Sequence, residues 1–188
     1  MILQTVVRLA VAIFLASEIA VALVKRDAGP AKGDDQGSMR LLWLVVGSCV
    51  ALAVAVSGYR ATSLPFTATA QELLATILLL SGLVLRWTAI ITLGRFFTVN
   101  IAIHEGQPVI TAGPYRYVRH PSYTGLLLAF LGLGVFLGNW LSVIVLIIPI
   151  TVAVIHRIRL EESMLAAALG PAYAAYCART KRLIPRVW

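Results

Sequence analysis

Charged residues are scarce in this chain. Asp, Glu, Lys and Arg together make up only 13% of its 188 residues, about half the share found in ordinary soluble domains. Cysteine is nearly absent. Cys49 and Cys177 both lie near apolar stretches, which excludes a disulfide framework and gives no sign of a metal site. What is abundant is apolar surface: 60% of the residues are hydrophobic and the mean hydropathy is +0.88. A soluble domain of this length cannot hide so much. The excess falls into runs of about 20 apolar residues, enough to cross a hydrocarbon core about 30 Å thick. A net charge of +8 would suit nucleic acid, but the basic residues sit between the apolar runs, where they set membrane topology. Nucleic acid is not expected as a partner.

The first span runs from Ile2 to Val24 and lacks a small-residue cleavage site after a short apolar core, so it reads as a retained helix. Lys25 to Arg40 contains Gly29-Pro30, Gly33 and Asp34-Asp35 and reads as a loop. A second span covers Leu41 to Gly58, and a third Glu72 to Leu93, joined by a short link with Pro65. Gly94 to His120 does not span. Pro121 to Gly138 and Trp140 to Ile155 are two shorter apolar segments around the tight turn Gly138-Asn139, a helical hairpin. The tail from His156 to Trp188 is basic, with a helix stop and restart at Gly170-Pro171. The expected fold is therefore all-α and integral to the membrane. Five transmembrane helices form a three-helix scaffold over residues 1–93 and a functional core over 94–188, and the first three spans read as generic.

Orientation follows from the basic residues. Lys25, Arg26, Lys32, Arg40, Arg95, Arg116, Arg119, Arg157, Arg159, Arg179, Lys181, Arg182 and Arg186 fall on one side, and only Arg60 on the other. That bias puts the N-terminus outside and the C-terminal region in the cytosol. Within the spans, Glu18 and Arg86 both lie about 9–10 Å below the inner boundary at 1.5 Å per residue. An unpaired charge there costs at least about 2.5–3.5 kcal/mol, so the matched depth points to a pair facing the bundle interior. Such a pair either pins the first and third helices or brings Arg86 to the wall of a cavity.

The stretch Thr111 to Gly125 carries the densest chemistry. Gly113-Pro114 is a turn, and Pro121 suits the first turn of the following helix, since it needs no hydrogen bond there. Arg119 and His120 then stand at the helix N-terminus. Cations there oppose the macrodipole, so the arrangement reads as a place for an anion. Further on, Arg157 and Glu161 share a helical face at i,i+4, and Arg159 and Glu162 another at i,i+3. Tyr173 and Tyr176 line one face of the last helix, as an interfacial belt or as a roof over a ligand.

With Gly113-Pro114-Tyr115, Arg119-His120-Pro121-Ser122-Tyr123-Thr124-Gly125, Glu161-Glu162 and the run Gly170-x-x-Tyr173-x-x-Tyr176-x-x-x-Thr180-x-Arg182-Leu183-Ile184-Pro185, the chain resembles the isoprenylcysteine carboxyl methyltransferase family from Leu93 to Trp188. The resemblance implies a multi-pass enzyme of a bacterial or archaeal cell membrane with S-adenosyl-L-methionine as cofactor. Its pocket would open to the cytoplasm, and a lipophilic or prenylated substrate would enter from the bilayer. It implies cofactor contacts from Gln107, Pro108, Val109, Ile110, Tyr115, Arg119, His120, Pro121, Ser122, Tyr123 and Glu161. Arg157 would hold the substrate carboxylate. Relatives often carry His-x-Leu-Val where this chain has Gln107-Pro108-Val109-Ile110, which throws the weight there onto backbone contacts. A carboxylate nucleophile needs no general base. An amine would, and Glu162 is the nearest candidate. The alternatives are N-methylation of a lipid amine such as phosphatidylethanolamine, which Arg157 disfavours, and an NADPH-dependent membrane reductase, which has no evident use for paired glutamates.

Overall fold

The computed structural model describes residues 2–24, 35–98 and 106–188. Five α-helices account for most of them: α1 (Ile2–Val24), α2 (Asp35–Val56), α3 (Ala68–Leu93), α4 (Pro121–Phe136) and α5 (Trp140–Arg179). Four are long and apolar enough to cross a membrane, and α4 is a shorter apolar helix. Their outward faces present Leu44, Val84, Ile148 and Val152, among other exposed aliphatic side chains. In water such a surface would be an aggregation liability, whereas in lipid it is the solvent-facing side. The protein is a multi-pass membrane protein.

The expected loop from Lys25 to Arg40 is shorter than its composition indicated, because α2 already begins at Asp35. Ser38, in the first turn of α2, is buried and bonded to α5. Tertiary contact has overridden the polar composition. Lys25, Arg26 and Lys32, counted for orientation, lie outside the described residues. Helix α3 starts four residues earlier than its apolar run, capped by the Thr67 side chain, which accepts a hydrogen bond from the Ala70 amide at 3.3 Å.

α4 is apolar on every face, the pattern of a helix enclosed by others. Its largest interface is with α3, and glycine makes that interface possible. A Cβ on Gly82 would stand 2.6 Å from the Ala129 amide nitrogen and the Gly125 carbonyl, and one on Gly125 would stand 2.6 Å from the Arg86 nitrogen and the Gly82 carbonyl. Gly132 meets Leu79 in the same way. The two backbones touch along a seam of small residues. Gly125→Val should therefore force the seam apart, lowering stability by about 1–3 kcal/mol or more. A fall in the detergent thermal midpoint checks this, whereas Gly47→Val, which meets nothing within 4 Å, should leave it nearly unchanged.

At the far end from the basic tail, Gly138 takes φ 71° and Asn139 is fully buried. The Asn139 side-chain oxygen caps α5 at the Leu141 amide (2.9 Å) and also accepts from the Thr62 hydroxyl (3.1 Å), while its amide donates to the Tyr59 carbonyl (2.9 Å). This clamp ties the α2–α3 link to the α4–α5 turn. α5 runs on beyond its apolar part, which ends near Ile155, and breaks at Gly170 with φ 53° and ψ −131°. That is the expected stop and restart. The last residues then fold back. The amides of Arg119 and His120 donate to the carbonyls of Lys181 (2.7 Å) and Arg182 (3.0 Å), so the tail is pinned beside the start of α4.

Candidate active site

α1 packs against α3, and α2 against α5. Between them opens a cavity of about 340 Å³, within the range of small-ligand sites. Its two ends differ in chemistry. Towards the tail it is bordered by Gln107 to Ile110, Tyr115, Arg119, His120, Glu161, Tyr173 and Tyr176. Towards the membrane interior its wall is Leu15, Ile19, Leu42, Trp43, Val46, Leu126 and Phe130. Ser122, Tyr123, Arg157, Glu18 and Arg86 also border it. The first three helices thus supply much of the wall, more than a generic scaffold would.

Arg157 is buried. Its Nε donates to the Tyr123 hydroxyl at 2.8 Å and one terminal nitrogen to the Ser38 hydroxyl at 3.1 Å. Because a guanidinium can only donate, the Tyr123 oxygen is the acceptor, and its own proton is directed to the Glu161 carboxylate 3.2 Å away. Arg157 and Glu161 share a face of α5 as their spacing predicts, and Tyr123 of α4 bridges them. Ser38 left no mark in local patterning, since nothing there couples α2 to α5.

Glu162 differs from its expected part. Rather than standing as a base at the cavity or pairing with Arg159, it accepts from Arg119 Nε (2.8 Å), His120 Nε2 (3.3 Å) and both Arg182 Nε (2.9 Å) and a terminal Arg182 nitrogen (2.7 Å). Burial alone would raise its pKa, but the hydrogen bonds from His120, Arg182 and Arg119 outweigh that and hold its carboxyl well below the usual carboxylate range. All its lone-pair directions are committed. The anion expected at the start of α4 is therefore this side chain of the same chain, delivered by the fold of the tail. Arg119 also donates to the carbonyls of Cys177 and Thr180. Arg119 and His120 still border the cavity. Pro121, by contrast, is buried at the first position of α4 and does not border it; a proline ring there sets the entry of the helix and offers no polar group.

The two tyrosines beyond the break border the cavity and do not form an exposed interfacial belt. Both are buried. Tyr176 donates to the Tyr115 carbonyl at 2.7 Å, closing the polar end. The Tyr173 hydroxyl is buried with no hydrogen-bond partner among the described residues. Burial, with Glu161 nearby, also holds the Tyr115 phenol well above its usual range, so it stays protonated at neutral pH.

Glu18 and Arg86 do pair. Arg86 Nε donates to one Glu18 oxygen and a terminal nitrogen to the other at 2.6 Å. The remaining terminal nitrogen reaches the Ser122 hydroxyl (2.9 Å) and carbonyl (3.2 Å). The pair pins α1 to α3 and α4 and also borders the cavity, so both readings of the matched depth hold.

Residues 74–167 match the isoprenylcysteine carboxyl methyltransferase (ICMT) family. Protein-S-isoprenylcysteine O-methyltransferases B and A of Arabidopsis thaliana are 37% and 34% identical over 112 and 113 residues, covering 58% and 59% of this chain and 57% of each relative. The chain thus spans little more than half the length of these curated relatives. Among solved structures, the eukaryotic intramembrane Ras methyltransferase ICMT (isoprenylcysteine carboxyl methyltransferase) superposes with a TM-score of 0.66 at 24% identity, covering 95% of this chain and 64% of that one. Identity that low speaks to a shared fold.

Proposed function

Because this chain belongs to the isoprenylcysteine carboxyl methyltransferase family, we propose that it transfers a methyl group from S-adenosylmethionine to the carboxylate of a lipophilic, isoprenylcysteine-like acid. The observation that carries this reading is the two-ended cavity, with Arg157 between its polar and apolar halves. Members of the family need a methyl donor, and the polar end fits S-adenosylmethionine. The Tyr173 hydroxyl is buried without a hydrogen-bond partner among the described residues, and Glu161 with Tyr115, His120 and Tyr123 offers a carboxylate and aromatic faces of the kind that hold a ligand cation. The backbone of Gln107 to Ile110 completes the lining. When bound, this cofactor supplies a methyl group on a sulfonium, open to attack by an oxygen nucleophile.

The chain's own residues do the rest. Arg157, fixed by Tyr123 and Ser38, orients the substrate carboxylate through its planar fork. Burial of the site excludes water. Holding two reactants that arrive from different phases in one geometry is the main contribution asked of the enzyme. The lipid enters between α1 and α2, whose cavity-facing residues are apolar apart from Glu18 and which pack on opposite neighbours. Five spans with the N-terminus outside place the polar end at the cytoplasm, as the basic residues indicate. Glu162 anchors the tail against α4. Its engagement removes the base that an amine substrate would need, and the family match leaves the reductase without support.

Titration of the purified protein in detergent with S-adenosylhomocysteine and, separately, NADPH tests the reading. A raised thermal midpoint with the first alone is expected, together with methylation of a farnesylated cysteine bearing a free carboxylate. No response to S-adenosylhomocysteine would overturn it.

A further inference from the structure

Outside the cavity, the tail carries a surface that methyl transfer leaves unused. From Ser163 to Trp188 the sequence holds Arg179, Lys181, Arg182 and Arg186 and no acidic residue. Arg182 is engaged by Glu162. Arg179, Lys181 and Arg186 are exposed, and none of them forms an ion pair among the described residues. Glu162 cannot balance them, because Arg119, His120 and Arg182 already occupy it. The tail therefore presents a surplus of cations.

Its tip is apolar. The Leu183 and Ile184 amides both donate to the Trp188 carbonyl at 2.9 Å, and the Val187 amide donates to the Ile184 carbonyl at 3.1 Å. These bonds close residues 183–188 into a compact turn. Leu183 is buried in it, whereas Ile184 is 54% and Val187 70% exposed. Depth determines what surrounds them. A Cβ on Gly125 would touch the backbone of Arg86, which lies well inside the end of α3. One residue before Gly125, the Thr124 hydroxyl donates to the Leu183 carbonyl at 2.9 Å. The turn thus lies roughly 5–10 Å inside the level that α3 reaches at Leu93, where interfacial segments rest between headgroups and acyl chains.

We propose that this turn is a docking surface for anionic phospholipid. Ile184 and Val187 lie among the upper acyl chains, and Lys181 and Arg186, with Arg179, hold the headgroup phosphates, to which long basic side chains reach outward from such a depth. A nucleic acid or an acidic peptide would satisfy the cations but offers nothing to two aliphatic side chains placed there. A zwitterionic headgroup would leave the surplus charge uncompensated. Lipid held here also braces the polar end of the cavity, because the Lys181 and Arg182 carbonyls accept from the Arg119 and His120 amides.

Trp188, half-buried in the same turn, reports the contact. The full chain is reconstituted into mixed bilayers of phosphatidylcholine and phosphatidylglycerol in which one lipid or the other carries brominated acyl chains. The emission of Trp188 is the difference between the native protein and Trp188→Phe. Brominated phosphatidylglycerol should quench it with a relative binding constant about fivefold or more above brominated phosphatidylcholine, as one basic side chain at an anionic surface provides. Lys181→Gln/Arg186→Asn should bring that ratio to within about twofold of unity. Asparagine is chosen because residue 186 takes φ 66°, which it tolerates. Ile184→Ser/Val187→Ser should instead weaken quenching by both lipids. If the charge variant does not fold, about 1 M salt, which screens exposed charges beyond about 3 Å, is applied to the native protein and read in the same way. If Trp188→Phe does not fold, Val187→Trp supplies the reporter. Equal quenching by the two lipids in the native protein, or a preference that survives removal or screening of the charges, overturns the proposal. Quenching by neither lipid places the turn in water and overturns it as well.

Discussion

Replacing Arg157 with alanine is expected to lower kcat/KM for methylation of a farnesylated cysteine by about 10²–10³-fold while S-adenosylhomocysteine still binds within about threefold, a loss matching the removal of one buried charge-pair partner. The split follows from the geometry. Arg157 lies where the polar and apolar ends of the cavity meet, whereas Tyr115, His120 and Glu161 border its polar end. Arg157→Lys should recover little, because a point charge cannot reproduce a fork held by Tyr123 and Ser38. Steady-state kinetics with calorimetric titration of S-adenosylhomocysteine separates the two effects. Equal loss of turnover and cofactor binding would mean that Arg157 shapes the whole cavity, and its assignment to the carboxylate would fail.

Glu162→Gln should be the most damaging single change to the fold of the tail. The native side chain is 13% exposed and faces Arg119, which is 11% exposed, together with Arg182. Removing the negative charge leaves those cations facing each other without compensation, a loss of about 3 kcal/mol on the scale of broken buried pairs. S-adenosylhomocysteine affinity should fall more than about tenfold, because His120 and the roof are positioned through the same network. The pH dependence has a definite sign. A carboxyl whose pKa is lowered by folding contributes stability that is complete above the ordinary glutamate value of 4.5 and is lost as pH falls below it. The native thermal midpoint should therefore drop on acidification through that region, and the Glu162→Gln midpoint should vary less. Matching acid profiles would show that another group governs the acid limb.

Much of this was legible in the residues themselves, and the division has physical causes. Helices built on apolar runs declared themselves within a few residues, because in lipid nothing else satisfies the backbone. Matched depth paired Glu18 with Arg86 across the bundle, since an isolated charge there is too costly to leave alone. Helical spacing put Arg157 and Glu161 on one face. What spacing could not convey was which distant segment arrives beside a motif. Arg119 and His120 read correctly as a receptor for an anion, but the anion is Glu162, brought there when the tail turns at Gly170 and lays Lys181 and Arg182 along α4. Ser38 was hidden for the same reason: polar composition marked it as loop, whereas its bond to Arg157 makes it structural.

The glycine seam between α3 and α4 has a mechanical consequence. Where two backbones touch directly, no side chains lie between them to change rotamer, so sliding or spreading means breaking close-packed contact outright. The two helices behave as one stiff beam, and Arg86, Ser122 and Tyr123 ride on it at fixed separations. Glu18 holds α1 to the same beam through Arg86, so any room that the proposed lipid substrate needs must come from outside the seam, where side chains and not backbones meet. The fold thus keeps one fixed distance scale along its α3–α4 face.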